Sequence, residues 1–104
     1  MAEMEIDLPE SVIKTVVEIA AKFQEIERIE VFGSRVLGNA KKGSDIDLAV
    51  FGISLTPQTV SAFQRCLEEE TNIPYLFDIL HFESIVNASL REHILEHGRP
   101  LFSK

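Results

Sequence analysis

The segment of residues 31–52, VFGSRVLGNAKKGSDIDLAVFG, decides how this chain is read. A β-forming run stops at Gly33-Ser34, and the next run opens on two carboxylates, Asp45 and Asp47, spaced two apart. Asp is disfavoured in strands, yet three of the four Asp in the chain (Asp45, Asp47 and Asp78) lie in or beside strand-like runs. Residues i and i+2 of a strand share a face, so Asp45 and Asp47 project together while Ile46 and Leu48 point the other way. Two like charges held side by side repel unless a cation lies between them or one takes a proton. Hard oxygen ligands of this kind suit Mg²⁺, which keeps several waters and uses one or two protein carboxylates plus substrate phosphates.

Working outward, residues 28–32 (RIEVF) form a strand that ends at Gly33, and residues 45–51 (DIDLAVF) form a second. The twelve residues between them, with turn formers at Gly38-Asn39 and Gly43-Ser44, are near the lower limit for a parallel crossover. An antiparallel return is the simpler path, and it brings Gly33-Ser34 beside Asp45 and Asp47. Upstream, Val12, Ile13, Val16, Val17, Ala20 and Phe23 recur at helical spacing, which predicts a helix over 9–25 opened by Pro9. Downstream, Thr56-Pro57 starts a helix that runs to about residue 71, and Pro74 releases a third strand over 75–82. A helix between the second and third strands favours a right-handed parallel crossover. A last helix, from Glu83 or Asn87 to His97, stops at Gly98 and Pro100, and the tail PLF adds a short edge strand. The expected architecture is α/β (α+β): a small mixed sheet of three to four strands flanked by helices, as one domain over residues 1–104.

Asp78 interrupts the apolar run YLFDIL; if the third strand neighbours the second, it adds a third carboxylate to the cluster. Three converging Asp suit two metal ions, which clamp the attacking and leaving oxygens of a phosphoryl displacement. Gly33 lets backbone approach a ligand closely, and a short helix opening near Ser34 would aim N–H groups at an anion. Ser34 adds a hydroxyl, and Arg35, Lys41 and Lys42 offer positive charge. A phosphate cradle facing a metal cluster serves transfer from a nucleoside triphosphate.

Gly33-Ser34, ten residues, then Asp45-x-Asp47, with a later strand Asp78, resembles the signature of the DNA polymerase β-like nucleotidyltransferase superfamily. FGSRVLGNAKKGSDIDLAV resembles more narrowly the minimal nucleotidyltransferase (MNT) proteins, over essentially the whole chain. The resemblance implies Asp45, Asp47 and Asp78 as catalytic metal ligands, Gly33 and Ser34 as triphosphate contacts, and Arg35 as a basic nucleotide-binding residue. It implies ATP as substrate with two Mg²⁺ ions, attack of an acceptor hydroxyl on the α-phosphorus, and loss of pyrophosphate. Asp78 either helps take the acceptor proton or acts as a ligand alone. Larger relatives carry further domains that bind the acceptor, whereas here one helix and a short tail follow the third strand, so the acceptor is expected on another molecule or subunit. Minimal members resemble antitoxins of toxin–antitoxin pairs. The implied partner is a helical HEPN toxin, silenced by AMP transfer to a tyrosine hydroxyl. A non-catalytic antitoxin that acts by binding, and transfer to a small-molecule hydroxyl, remain open alternatives, as do homo- and hetero-oligomers.

The remaining features read as structural. A net charge of −7 opposes non-specific nucleic-acid binding. No basic leader and no apolar run of the roughly 20 residues that span a bilayer is present, so a cytoplasmic protein is expected. Cys66 has no partner for an internal disulfide and reads as a small buried thiol. His93 and His97 share a helical face near a helix C-terminus, a favourable placement that needs no metal, and His81 reads as structural. Asn87-Ala88-Ser89 matches a glycosylation sequon by pattern only.

Overall fold

The computed structural model describes residues 6–37 and 45–104. Strands β1 (Arg28–Phe32), β2 (Ile46–Phe51), β3 (Phe77–His81) and β4 (Arg99–Ser103) form a sheet in the order β3-β2-β1-β4. β2 returns antiparallel to β1, and β3 lies parallel to β2 after helix α3 (Pro57–Glu69). Both pairings follow from connection length: the β1–β2 link is short, while the β2–β3 link holds a whole helix. β4 is the edge strand expected of the tail, antiparallel to β1 with an irregularity at Ile29/Glu30.

Strand alternation divides the sheet into two faces. Ile29, Val31, Ile46, Leu48, Val50 and Phe77 build one, packed against Val12, Val16 and Ala20 of α1 (Glu10–Ala20) and Phe63 and Leu67 of α3. Phe32, Ala49 and Phe51 belong to the other, with Phe82 and with Ile94 of α4 (Ala88–His97). Asp47 sits between the core residues Ile46 and Leu48 in β2 and so projects on this second face.

α1 ends at Ala20, before the expected residue 25. From there the chain tightens into three-residue turns: Lys22 N–H donates to Ile19, Phe23 to Ala20 and Ile26 to Phe23. These turns place Phe23 edge-on against Phe63, with centroids 5.6 Å apart, bury Ile26 fully and release β1 at Arg28. α3 begins where Thr56 predicts: its Oγ1 accepts the Thr59 N–H at 3.1 Å, and Pro57 occupies the first turn. Asn87 of the apparent sequon caps α4, accepting the Leu90 N–H at 3.1 Å. His81 is structural, as expected: its Nε2 lies 2.9 Å from the Gly52 carbonyl, and Ser84 Oγ is 2.8 Å from its Nδ1. Cys66 is half-buried on α3.

The outer edge of β3 is blocked by α3. The Phe77 N–H donates to Glu68 Oε2 at 3.0 Å, and the Phe77 carbonyl accepts from Gln64 Nε2 at 2.8 Å. Such side-chain caps satisfy backbone groups that would otherwise recruit another strand. Glu68→Ala is expected to cost about 1 kcal/mol in urea denaturation, the usual worth of one hydrogen bond. Glu68→Gln, which keeps an acceptor oxygen, should retain most of that stability.

Candidate active site

β1 ends at Phe32, whose Cα pairs with that of Asp47, so the next residue, Gly33, turns directly over the start of β2. Gly33 has φ +79°, and a Cβ at this position would run into the Asp47 carboxylate at Oδ2 and Cγ. Glycine is therefore required twice, for the left-handed backbone and for the room Asp47 occupies. The short helix α2 (Ser34–Leu37) opens at the next residue, and Val36 N–H closes back on the Gly33 carbonyl at 3.1 Å. Of the meeting of Gly33-Ser34 with the carboxylates inferred from the connection length, the fold brings Gly33 against Asp47. Lys41, Lys42 and the turn formers at 38–39 and 43–44 lie outside the described residues.

Asp47 and Asp78 are register partners on β2 and β3, and Asp45 stands one residue before β2. Asp45 and Asp78 are exposed, whereas Asp47 is half-buried. Burial first, and then the negative charges of Asp78 and Asp45, raise the Asp47 carboxyl above its ordinary value. The cluster is thus three acceptor-only groups in electrostatic contact. Their side chains do not close on a common point: among the described residues no group of three metal-ligating side chains is arranged to hold an ion. Register sets Asp47 beside Asp78, and the charges of both Asp78 and Asp45 are felt at Asp47.

The raised carboxyl has a consequence for stability. A carboxylate whose folded value exceeds its unfolded one destabilises the fold above the folded value, and the penalty disappears as both states become protonated at low pH. Asp47→Asn removes the charge, so without divalent metal it should melt higher than the wild type at pH 8. The two melting temperatures should approach each other as pH falls toward the carboxylate range.

Arg35 is buried within the fold, 6% exposed. Its Nη1 donates to the Asp7 carbonyl at 3.1 Å, its guanidinium lies 4.7 Å from the Tyr75 ring centroid, and its own carbonyl accepts the Asp7 N–H at 2.6 Å. The residue ties the segment before α1 and the approach to β3 to α2. On the other side α4 covers the face that carries Asp47: His93 packs edge-on to Phe32 with centroids 6.4 Å apart, and 4.9 Å from His97. One residue departs from the reading of YLFDIL as an apolar run: Leu76, just before β3, is 63% exposed.

A mixed sheet with a glycine turn set against strand carboxylates defines a nucleotidyltransferase fold. The family model for polymerase beta nucleotidyltransferases matches residues 14–104, and the chain belongs to that family. A toxin–antitoxin crystal structure with AMP-PNP is similar, with TM-score 0.72 and 21% identity over 93% of this chain and 75% of that one. The MntA-HepT toxin–antitoxin structure is similar at TM-score 0.70 and 16% identity, covering 92% of this chain and 74% of that one. A Shewanella oneidensis complex of a tri-AMPylated HEPN toxin with an MNT antitoxin is similar at TM-score 0.69 and 18% identity, covering 91% of this chain and 72% of that one. No curated protein matches the sequence significantly. No helix among the described residues is long and apolar enough to cross a membrane.

Proposed function

We propose that this protein transfers AMP from ATP to a hydroxyl, a tyrosine hydroxyl, of a HEPN-type helical partner, and so acts as an antitoxin. The observation that carries this reading is the packing of Gly33 against Asp47, which sets a backbone cradle beside carboxylates on adjacent strands. The donor set is all hard oxygen and electrostatically strained without a cation, which fits Mg²⁺ held by Asp45, Asp47 and Asp78. When bound, Mg²⁺ acidifies an acceptor hydroxyl and neutralises charge on leaving pyrophosphate.

The remaining chemistry falls to this chain's residues. Backbone at Gly33 and the start of α2 receives the β and γ phosphates, with the Ser34 hydroxyl as a further donor. Arg35, with its guanidinium on the Asp7 carbonyl and the Tyr75 ring, fixes α2. The acceptor oxygen bonds to the α-phosphorus, the bond to the β-phosphate oxygen breaks, and the hydroxyl proton passes to Asp78 or to solvent. Similar folds with an AMP-PNP complex and with an AMPylated HEPN toxin support the nucleotide and the partner.

The test uses purified protein, Mg²⁺, ATP labelled at the α-phosphate, and a HEPN-type helical protein as candidate acceptor. Intact mass spectrometry should show one or more AMP units on that partner. An unchanged partner mass, with ATP and Mg²⁺ present, would overturn the proposal.

A further inference from the structure

We propose that His93 and His97 form a binding site for Zn²⁺ that clips the last turn of α4. The sequence calls for no metal at this pair, since a helix C-terminus suits histidine by itself; the packed rings supply the case for one. The two residues lie four apart in α4, so their side chains project from one side of the helix. In the fold their ring centroids are 4.9 Å apart, with planes inclined at 50°. A Zn–N bond of about 2.0–2.1 Å puts each ring centre about 3.2 Å from a shared ion, and tetrahedral ligation then separates the centres by about 5 Å. The observed spacing already meets that requirement.

Each ring has a neighbour that holds it. His93 packs edge-on to Phe32, with centroids 6.4 Å apart. Nε2 of His97 lies 3.3 Å from Glu96 Oε1, the carboxylate partner that metal-bound imidazoles ordinarily have on the nitrogen facing away from the ion. The field also suits a cation: the last turn of a helix carries partial negative charge, and the Glu30 carboxylate reaches the backbone at Gly98. Arg99, whose Nη1 donates to the carbonyls of His97 and Gly98, offsets part of that field. Imidazole suits Zn²⁺, Ni²⁺ and Cu²⁺, whereas carboxylate and water suit Mg²⁺, so this pair and the Asp cluster take different metals. Among the described residues no third metal-ligating side chain joins the pair, so water completes the shell. The clip acts where the fold is thinly held: α4 is anchored by one buried residue, Ile94, while α1 buries Val12, Val16 and Ala20. An ion shared by His93 and His97 ties successive turns of the helix that covers the face carrying Asp47.

The experiment is an NMR titration of the untagged full chain with ZnCl₂ at neutral pH, read at the imidazole C–H resonances. The chain has three histidines, and His81, held on the Gly52 carbonyl, serves as an internal reference. Zn²⁺ should shift His93 and His97 together, with one shared affinity, and leave His81 in place; Mg²⁺ should move none of the three. Amide hydrogen exchange in α4 should slow when Zn²⁺ is present. His97→Ala should abolish the response of His93, and Glu96→Gln should weaken binding about tenfold, the usual effect of losing an outer-shell partner. The His97 side chain is 40% exposed, so its removal does not threaten the fold. Histidines that do not respond to Zn²⁺, that respond with different affinities, or a His93 shift that persists in His97→Ala would overturn the site. The readout involves neither ATP nor an acceptor, so it stands apart from the proposed AMP transfer.

Discussion

Replacing Asp45 and Asp47 together by Asn is expected to lower AMP transfer by roughly 10³-fold or more while leaving a folded protein, because the proposed mechanism loses two of the three carboxylates assigned to hold metal. The fold should survive because Asp45 is exposed and the Asp47 charge is itself a burden: burial and the charges of Asp78 and Asp45 already oppose it. Circular dichroism and melting curves would establish folding, and labelled ATP would measure transfer. The same variant separates catalysis from simple binding. If it still neutralises its partner in cells while transfer is abolished, neutralisation proceeds by contact, and the antitoxin role does not need the chemistry.

Gly33→Ala should be damaging in two distinguishable ways. A left-handed backbone costs an ordinary residue about 1–2 kcal/mol, and the added methyl must displace the Asp47 carboxylate with which it would overlap. The backbone cost predicts a loss of roughly 1–2 kcal/mol, since the carboxylate end of Asp47 can swing aside. The displacement also predicts a fall in transfer that persists after correction for the folded fraction, since Asp47 itself is moved. Gly52→Ala is the matched control. A Cβ there would meet the Glu25 carbonyl and the Leu55 side chain, at the opposite end of β2 from Asp47. It should destabilise the fold yet leave the transfer rate per folded molecule close to wild type. Equal loss of specific activity in both variants would show that Gly33 matters only for folding.

The pattern of the chain determined much of this architecture. β1 spans the residues its composition marks, and β2 begins one residue after the expected Asp45. These strands were legible because turn glycines and period-two alternation are local properties, and because loop length alone separates an antiparallel return from a helical crossover. The end of α1 was not legible: Phe23 continues the helical stripe, and only its packing against Phe63 with full burial of Ile26 calls for turns there.

At the site, Gly33, Ser34, Asp45, Asp47 and Asp78 could be named from spacing and resemblance, since their grouping depends on strand order and the parity of side chains. Three features required the assembled fold. That Asp47 alone of the three carboxylates is half-buried depends on Gly33 and its neighbours closing over it. Arg35 carries a charge that reads from sequence as open to phosphate, but its guanidinium is enclosed by Tyr75 and the Asp7 carbonyl, partners 40 and 28 residues away in the chain. Leu76 looks like one more core residue in an apolar run, yet just ahead of β3 it is left exposed. Burial and cross-strand neighbours arise from contacts between distant segments, so composition and local period do not encode them.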